Sequence, residues 1–398
     1  MRISTAHAFD LSIDALSKRQ GDLSSVQEQL STTKRINRAS DDPAGAARAE
    51  RALAAEMRVN ANQRAVDASQ NAMLLTESAL GDANDLLQQA REALVKAGNA
   101  SYSDAERKSI ADEIIGLRKQ LLAVANRTDG AGTYLFGGQG TNQPPFLDAA
   151  GGVQYRGASG DVQSVSGESL PLTIDGNVAW MSARSGNGTF ETAATAGNGG
   201  TAWIDSGRVT NPQLVTGSTY TLQFDVSAGV TTYSVLQDGN PTAVSGVPFK
   251  PGQAIEVDGL SANLTGSPAH GDSFTLSPSR TDQSVFGAMD KAIADLLSPH
   301  RSAAEIAQSN SSNIAALDAS MGQLAGARSK VGETLNRIDS VTGRLDDSRL
   351  AAQTERGNAE GLDMVKAISD FQNMQTGYDA ALKSYAMVQK ISLFNYVS

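Results

Sequence analysis

Residues 364–391 read MVKAISDFQNMQTGYDAALKSYAMVQKI, and the spacing of their apolar positions decides the fold. Met364, Ile368, Phe371, Met374, Tyr378, Leu382, Tyr385, Val388 and Ile391 advance by three or four residues, the period of an amphipathic helix. A matching helix opens the chain, where Phe9, Leu16, Leu23 and Leu30 fall seven residues apart and Ile13 and Val26 fill the same face. A stripe of that width suits a partner helix better than a single sealed domain. Chain ends normally fray, so apolar seams that run into both termini imply burial by each other and by neighbouring copies. The expectation is an assembly protein whose terminal helices make the contacts.

Working inward, Ser40-Asp41-Asp42-Pro43 interrupts the first helix and predicts a new helix start, with Asp42 as N-cap and Pro43 in the first turn. The competing reading, an acidic cation site, lacks the further oxygen ligands that a calcium loop requires. Val59, Val66, Met73, Leu80, Leu87 and Leu94 then hold a strict seven-residue spacing, with Ala83, Ala90 and Ala97 on the adjoining seam. That pattern predicts one long bundle helix ending near Gly98-Asn99. A second helix opens at Ser103-Asp104, where Glu106 completes a capping box, and carries Ile110, Ile114, Leu117, Leu121 and Val124 on one face. Far along the chain, Ile314, Leu317, Met321, Leu324, Val331, Leu335, Ile338 and Leu345 form the matching long helix. A shorter helix precedes it from Phe286 to Leu297, closed by Pro299.

Between these helical groups, from about 137 to 278, the chain turns to Gly, Ser, Thr and Asn with short β-branched and aromatic runs. Tyr220 to Val226, Thr231 to Leu236 and Ser273 to Leu276 read as strands. Asp175-Gly176, Asp238-Gly239-Asn240-Pro241, Lys250-Pro251-Gly252 and Asp258-Gly259 read as turns. The fold class is therefore mainly α with an inserted antiparallel β domain (α+β). A long antiparallel, coiled-coil-like bundle is formed by the N- and C-terminal segments, so its domains are discontinuous. The expected division is 1–45 and 349–398 for an inner helical domain, 46–140 and 281–348 for a bundle domain, and 141–280 for the β insert.

Charge is shared unevenly. The 398 residues carry 33 Lys plus Arg against 43 Asp plus Glu, net −10, which argues against nucleic acid or an anionic membrane as the main partner. Residues 141–280 hold five basic and eleven acidic groups, whereas 1–45 are balanced at six of each and 350–398 hold four and five. Near-neutral ends allow many identical copies to pack without accumulating repulsion, and an acidic insert keeps the exterior solvated. Aromatic residues make up 5% of the chain, low for a compact enzyme and usual for Ala- and Leu-rich helices.

Chemistry is sparse. There is no cysteine, which excludes disulfides and thiolate metal sites. His7, His270 and His300 stand in three separate contexts with no metal or catalytic spacing, and no Gly-x-Ser-x-Gly elbow is present. Gly137, Gly138 and Gly140 follow Tyr134-Leu135-Phe136 and fit a turn into the β region better than a nucleotide cradle. Asp346-Asp347 fits a solvated helix face. The run from Lys34 to Arg38 fits the C-terminal end of the first helix, where cations favour the helix dipole. No catalytic, cofactor or metal site is expected. The opening twenty residues lack the continuous apolar core of a cleaved signal, and no apolar run is long enough to span a bilayer. The expectation is a cytoplasmic protein or one that leaves without signal cleavage.

Residues 30–45, LSTTKRINRASDDPAG, resemble the N-terminal signature of the bacterial flagellin superfamily through Leu30, Arg35, Ile36, Asn37, Asp41 and Asp42. The pattern departs at Thr33, where glycine is usual. Within the superfamily the chain resembles the hook-associated protein 3 group. The features are the start Met1-Arg2-Ile3-Ser4, Pro43 after the Asp pair, Gly132 to Gly138 followed by Pro145-Phe146, Gly271 to Leu276, and Leu393 to Tyr396. The resemblance implies a structural component of the flagellum, placed outside the cell at the hook–filament junction and exported without a cleaved signal. It implies hook-associated protein 1 on the hook side, flagellin on the filament side and further copies of itself. A cytoplasmic export chaperone is implied at the C-terminal helix, whose apolar face suits a groove. The assembly seam is then Phe9, Ile13, Leu16, Leu23, Leu30, Phe371, Tyr378, Leu382, Tyr385, Val388 and Ile391. Two alternatives stand beside this reading: a flagellin-type filament subunit, and a carbohydrate-binding or enzymatic β insert in which Trp180, Trp203 and Tyr220 would line a sugar site.

Overall fold

The computed structural model describes residues 5–99, 101–140, 143–164 and 168–397, with the side chains of 388–397 and of residues 5, 6, 8 and 9 outside that description. Among the described residues six α-helices appear: α1 (Thr5–Thr32), α2 (Pro43–Ala97), α3 (Asp104–Ala125), α4 (Val285–Leu297), α5 (Ala303–Glu360) and α6 (Met364–Val397). The chain divides into two compact units, 65–340 and a second made of 1–64 with 341–398.

In the 65–340 unit the seven-residue seam of α2 is the core, with Val66, Met73, Leu80, Leu87 and Leu94 all buried and the small Ala83, Ala90 and Ala97 buried beside them. Two ion pairs tie α2 to α5, Arg91 to Asp318 at 2.6 Å and Arg328 to Glu77 at 2.7 Å, in antiparallel order. The capping box of α3 is formed, with Ser103 and Glu106 each bonded to the other's backbone N–H. α5 begins at Ala303, well before Ile314, because Ser302 and Glu305 form a second such box: Ser302 N–H donates to Glu305 at 2.7 Å and Glu305 N–H to the Ser302 hydroxyl at 3.2 Å.

A hairpin of Phe146–Ala149 with Gly152–Tyr155 lies against the helices. Arg118, almost fully buried on α3, donates to Asp148 at 2.7 Å and to Asp290 of α4 at 3.0 Å. The guanidinium holds the Asp148 carboxyl below its ordinary value, so a buried cation is paired and the hairpin is fixed to both helices. Trp180 is also buried here, stacked on Phe286 and set edge-on to Phe136 and Phe146. It sits on a π-helical turn, Asn177–Met181, that stands where the sequence predicts a simple Asp175-Gly176 turn. Asp175 caps that turn by accepting from Asn177 N–H at 2.8 Å.

The insert leaves and rejoins this layer through a narrow neck, where Ala183 and Gln283 exchange backbone hydrogen bonds at 3.0 and 3.1 Å. Beyond it, a six-stranded sheet has Asn240–Pro241, Val230–Gln237, Tyr220–Ser227, Ser273–Pro278 and Phe190–Ala194 in that order, with Val247–Pro248 also paired to the second of these. A four-stranded sheet centres on Leu260–Thr265, flanked by Ala254–Val257, Trp203–Ile204 and Arg208–Val209. Every strand pairing described in these two sheets is antiparallel, as the insert's turn signals predict. Asp238-Gly239 and Asp258-Gly259 both take positive φ, as two-residue hairpin turns require, so Asn240-Pro241 is not part of the turn but already pairs with Gln237 and Leu236 as a short edge strand. Phe190, Ile204, Tyr220, Leu222, Phe224, Phe274 and Leu264 close the core between the sheets. Tyr220 is thus core, Trp203 is half-buried and Trp180 belongs to a different cluster, so the three aromatics do not converge on a sugar site.

Candidate assembly site

The flagellin-like signature folds as one side of a closed two-loop junction. α1 ends at Thr32, and Thr33 turns the chain with φ of +58°, a left-handed conformation that costs a β-branched residue more than glycine. The usual glycine at this position therefore has a conformational reason, and the departure at Thr33 is local strain rather than a different turn. The next residues pair with the loop between α5 and α6. Lys34 bridges Gly361 as a single antiparallel pair, Arg35 N–H donates to Glu360 O at 2.8 Å, and Leu362 N–H donates to Thr33 O at 3.3 Å.

Side chains lock the two loops. Lys34 Nζ lies 3.1 Å from Glu360, and the Arg35 guanidinium donates to Ala359 O at 2.8 Å and to Asp42 at 3.1 Å. Arg38 approaches Glu28 at 3.6 Å. The basic run thus lies just past the end of α1, and its partners are mainly carboxylates rather than the last carbonyls of that helix. Asn37 accepts from the Thr32 hydroxyl at 2.8 Å. Ile36 is buried beneath Gly45, where a Cβ would come within 2.5 Å of both Ile36 and the Asp42 carboxylate. Glu56 of α2 adds a bond to Arg356 of α5 at 2.7 Å, continuing the lock one turn further.

The two aspartates divide the work. Asp42 is the N-cap of α2, accepting from Gly45 N–H at 2.9 Å, with Pro43 at the first helical position. Asp41 accepts from Asn37 N–H at 3.1 Å and Arg38 N–H at 2.8 Å, closing the loop on itself. These backbone donors hold both carboxyls below their ordinary value of 3.8. Their oxygens face N–H groups and Arg35, which leaves no shared cation site. Of the signature, Arg35, Ile36, Asn37, Asp41, Asp42 and Pro43 come together here, and Leu30 stays half-buried on the last turns of α1. Sequence reading alone misses the partners Ala359, Glu360 and Gly361, which lie more than three hundred residues away.

α1 packs on α6, but the pair does not close a core of its own. Leu16, Leu23, Leu30, Phe371, Tyr378 and Tyr385 are half-buried, while Ile13 and Leu382 keep 44% and 41% of their surface open. Phe9, Val388 and Ile391 have side chains outside the described residues, as do Leu393 to Tyr396, and Met1 to Ser4 lie wholly outside them. Among the described residues of the two helices only Ala367 is buried. Leu11, Val365, Ile368, Met374 and Met387 are exposed as well. This is an apolar surface in search of more protein, in contrast to the sealed seam of 66–97.

No helix among the described residues is long and apolar enough to cross a membrane, and no group of three or more metal-ligating side chains occurs among them.

Comparison with known proteins bears on the same segments. The bacterial flagellin N-terminal helical region matches residues 3–141, and the flagellin C-terminal helical region matches 314–397. Flagellar hook-associated protein 3 of Escherichia coli is 25% identical over 99% of both chains. The Salmonella typhimurium protein of the same name is 36% identical over 41% of this chain, a match spanning half of that relative's length. The phase 1 flagellin of Salmonella naestved is 38% identical, but across only 32% of this chain and 25% of its own. Among solved structures, FlgL of Xanthomonas campestris is 30% identical over 77% of this chain and 98% of its own, with a TM-score of 0.69. The flagellar junction protein of Legionella pneumophila is 30% identical over 71% and 96%, with a TM-score of 0.66. Identity at that level across nearly the whole of the Xanthomonas and Legionella proteins, together with the signature and its closed junction, means that the chain belongs to the flagellar hook-associated protein 3 family of the bacterial flagellin superfamily.

Proposed function

We propose that the chain is a structural adaptor of the bacterial flagellum, joining the hook to the flagellin filament. The observation that carries the reading is the unfinished α1/α6 pair, whose half-buried seam needs neighbouring subunits to seal it. Similarity along the whole chain to hook-associated protein 3, against similarity to flagellin along a third of it, favours the adaptor over a filament subunit. On this reading 1–45 and 349–398 form the inner helical domain, 46–140 and 281–348 the bundle, and 141–280 the β region, whose part beyond the Ala183–Gln283 neck is the outer insert. The seam residues contact other subunits, with hook-associated protein 1 below and flagellin above, and an export chaperone covers α6 before assembly. The protein works by contact rather than by catalysis.

An adaptor presents different surfaces at its two axial ends, whereas a subunit that repeats one heterologous contact grows an open fibre. Purified protein should therefore fail to grow long filaments even when seeded, add to hook ends carrying hook-associated protein 1, and then permit flagellin to extend. Self-seeded growth into long filaments would establish the filament-subunit reading instead.

A further inference from the structure

At the α4/α5 interface three side chains meet in an arrangement that the flagellar reading does not use. Lys291 and Asp295 lie one turn apart on α4, and Asn313 faces them from α5. Lys291 Nζ is 3.0 Å from Asp295 Oδ2 and 3.3 Å from Asn313 Oδ1. Asn313 Nδ2 donates to the same Asp295 Oδ2 at 2.9 Å. One carboxylate oxygen therefore touches both an amine and an amide nitrogen, while the amine stands beside the amide carbonyl. The amide orientation is fixed by its partners, since the ammonium can only donate and the carboxylate can only accept. Asn313 is 2% exposed, held beside Leu296 and Ile306, whereas Lys291 reaches in from solvent.

We propose that Lys291 and Asn313 join through an isopeptide bond that the protein forms itself, with Asp295 carrying the proton. The free amine of Lys291 attacks the Asn313 carboxamide carbon. As the new C–N bond forms, Asp295 takes a proton from Nζ and delivers it to Nδ2. The old C–N bond then breaks and ammonia leaves. One amide replaces another, so no oxidant, reductant or cofactor enters. Proximity favours the step, because Nζ stands 3.3 Å from the oxygen of a buried amide and the carboxylate already touches both nitrogens. Ammonia departs into an adjacent cavity of about 640 Å³ that Lys291, Asp295 and Ser309 line. Only an unprotonated amine is nucleophilic, so the reaction quickens as pH rises. The product welds α4 to α5, two helices otherwise joined through the loop at Pro299.

The test is the intact mass of the full-length protein, read as purified and during incubation at rising pH, followed by sequencing of proteolytic peptides. The expected result is a mass lower by one ammonia and a branched peptide linking Lys291 to Asn313. Lys291→Arg keeps the positive charge but cannot form the link, and should retain full mass. Asp295→Ala should slow formation at least tenfold, and circular dichroism confirms that each variant is folded. Full mass in the folded wild type at every pH overturns the proposal. So does an ammonia loss that persists in Lys291→Arg, or that maps to a cyclised asparagine without a branched peptide.

Discussion

Thr33 and Gly45 measure how tightly the junction between α1 and α2 is specified. Thr33 holds a left-handed φ that costs an L-residue roughly 1–2 kcal/mol, partly offset by its lower chain entropy than glycine and by its hydroxyl bond to Thr32 O. Thr33→Gly should raise stability modestly, by about 0.5–1 kcal/mol in chemical denaturation; a loss would mean that the hydroxyl bond outweighs the strain. Gly45→Ala should cost about 1–3 kcal/mol by overpacking Ile36 and the Asp42 cap, whereas Gly21→Ala, where a Cβ meets nothing, should be neutral or stabilising. The aspartates add a pH dependence. Their carboxyls are depressed by backbone donors, so their contribution is complete above 3.8 and disappears as pH falls through the lower folded values. In an acid titration by NMR, the Arg38 and Gly45 amides should report midpoints below 3.8, and midpoints at or above it would refute the bonding described. The Asp42-Pro43 cap was legible from sequence because capping is local. The Glu360 partner was not, because nothing local in the chain foretells a contact between loops 326 residues apart.

Among helices, burial separates two kinds of apolar stripe that look alike in sequence. Leu80 and Leu23 both sit on seven-residue repeats, yet Leu80 is sealed and Leu23 is half-open. Leu80→Ala should therefore cost the isolated protein about 2–5 kcal/mol. Leu23→Asp and Tyr385→Asp should leave the cooperative melting of the bundle intact but abolish assembly, since the carboxylate meets a closed seam only when subunits pack. Collapse of the bundle melting transition in either variant would assign these residues to the monomer's core. Amide exchange should agree, with strong protection over 66–97 and weak protection in α1 and α6 of the dilute monomer. Periodicity made the helices legible, along with the end of α2 and the box at Ser103. The start of α5 is not legible from periodicity, because the polar stretch from Gln308 to Asn313 hides it; its local signal is the Ser302–Glu305 capping spacing. The π-helical turn at Asn177 and the buried Arg118 with its two carboxylates depend on distant partners, and no local pattern announces them.

For the molecule as a whole, the insert is the part least legible in sequence, and it shares one compact unit with the bundle helices. Two of its hairpins follow from Asp-Gly turns, at 238–239 and 258–259, whereas the longest turns at Ala228-Gly229, which the sequence pattern does not single out. The strand order does not follow from turns, because Phe190–Ala194 pairs with Ser273–Pro278 across some eighty intervening residues. Both ends of the insert meet at the Ala183–Gln283 neck, backed by Ser185 N–H to Arg280 O at 2.9 Å. Closing that neck with a short turn in place of 187–278 costs little loop entropy. The shortened chain should keep the helical melting transition of the parent and still add to hook ends; loss of the helical fold would show that the insert stabilises the bundle beneath it.

The two-loop junction at Lys34 and Gly361 has a mechanical consequence. A helix attached by one covalent strand can swivel about the freely turning bonds of its linker. Here two strands leave side by side, stitched by backbone bonds and by the Lys34, Arg35 and Arg356 contacts. Twisting one strand about the other would break those bonds together, so the junction behaves as a keyed shaft, and a turning moment applied at one end reaches the other without slip.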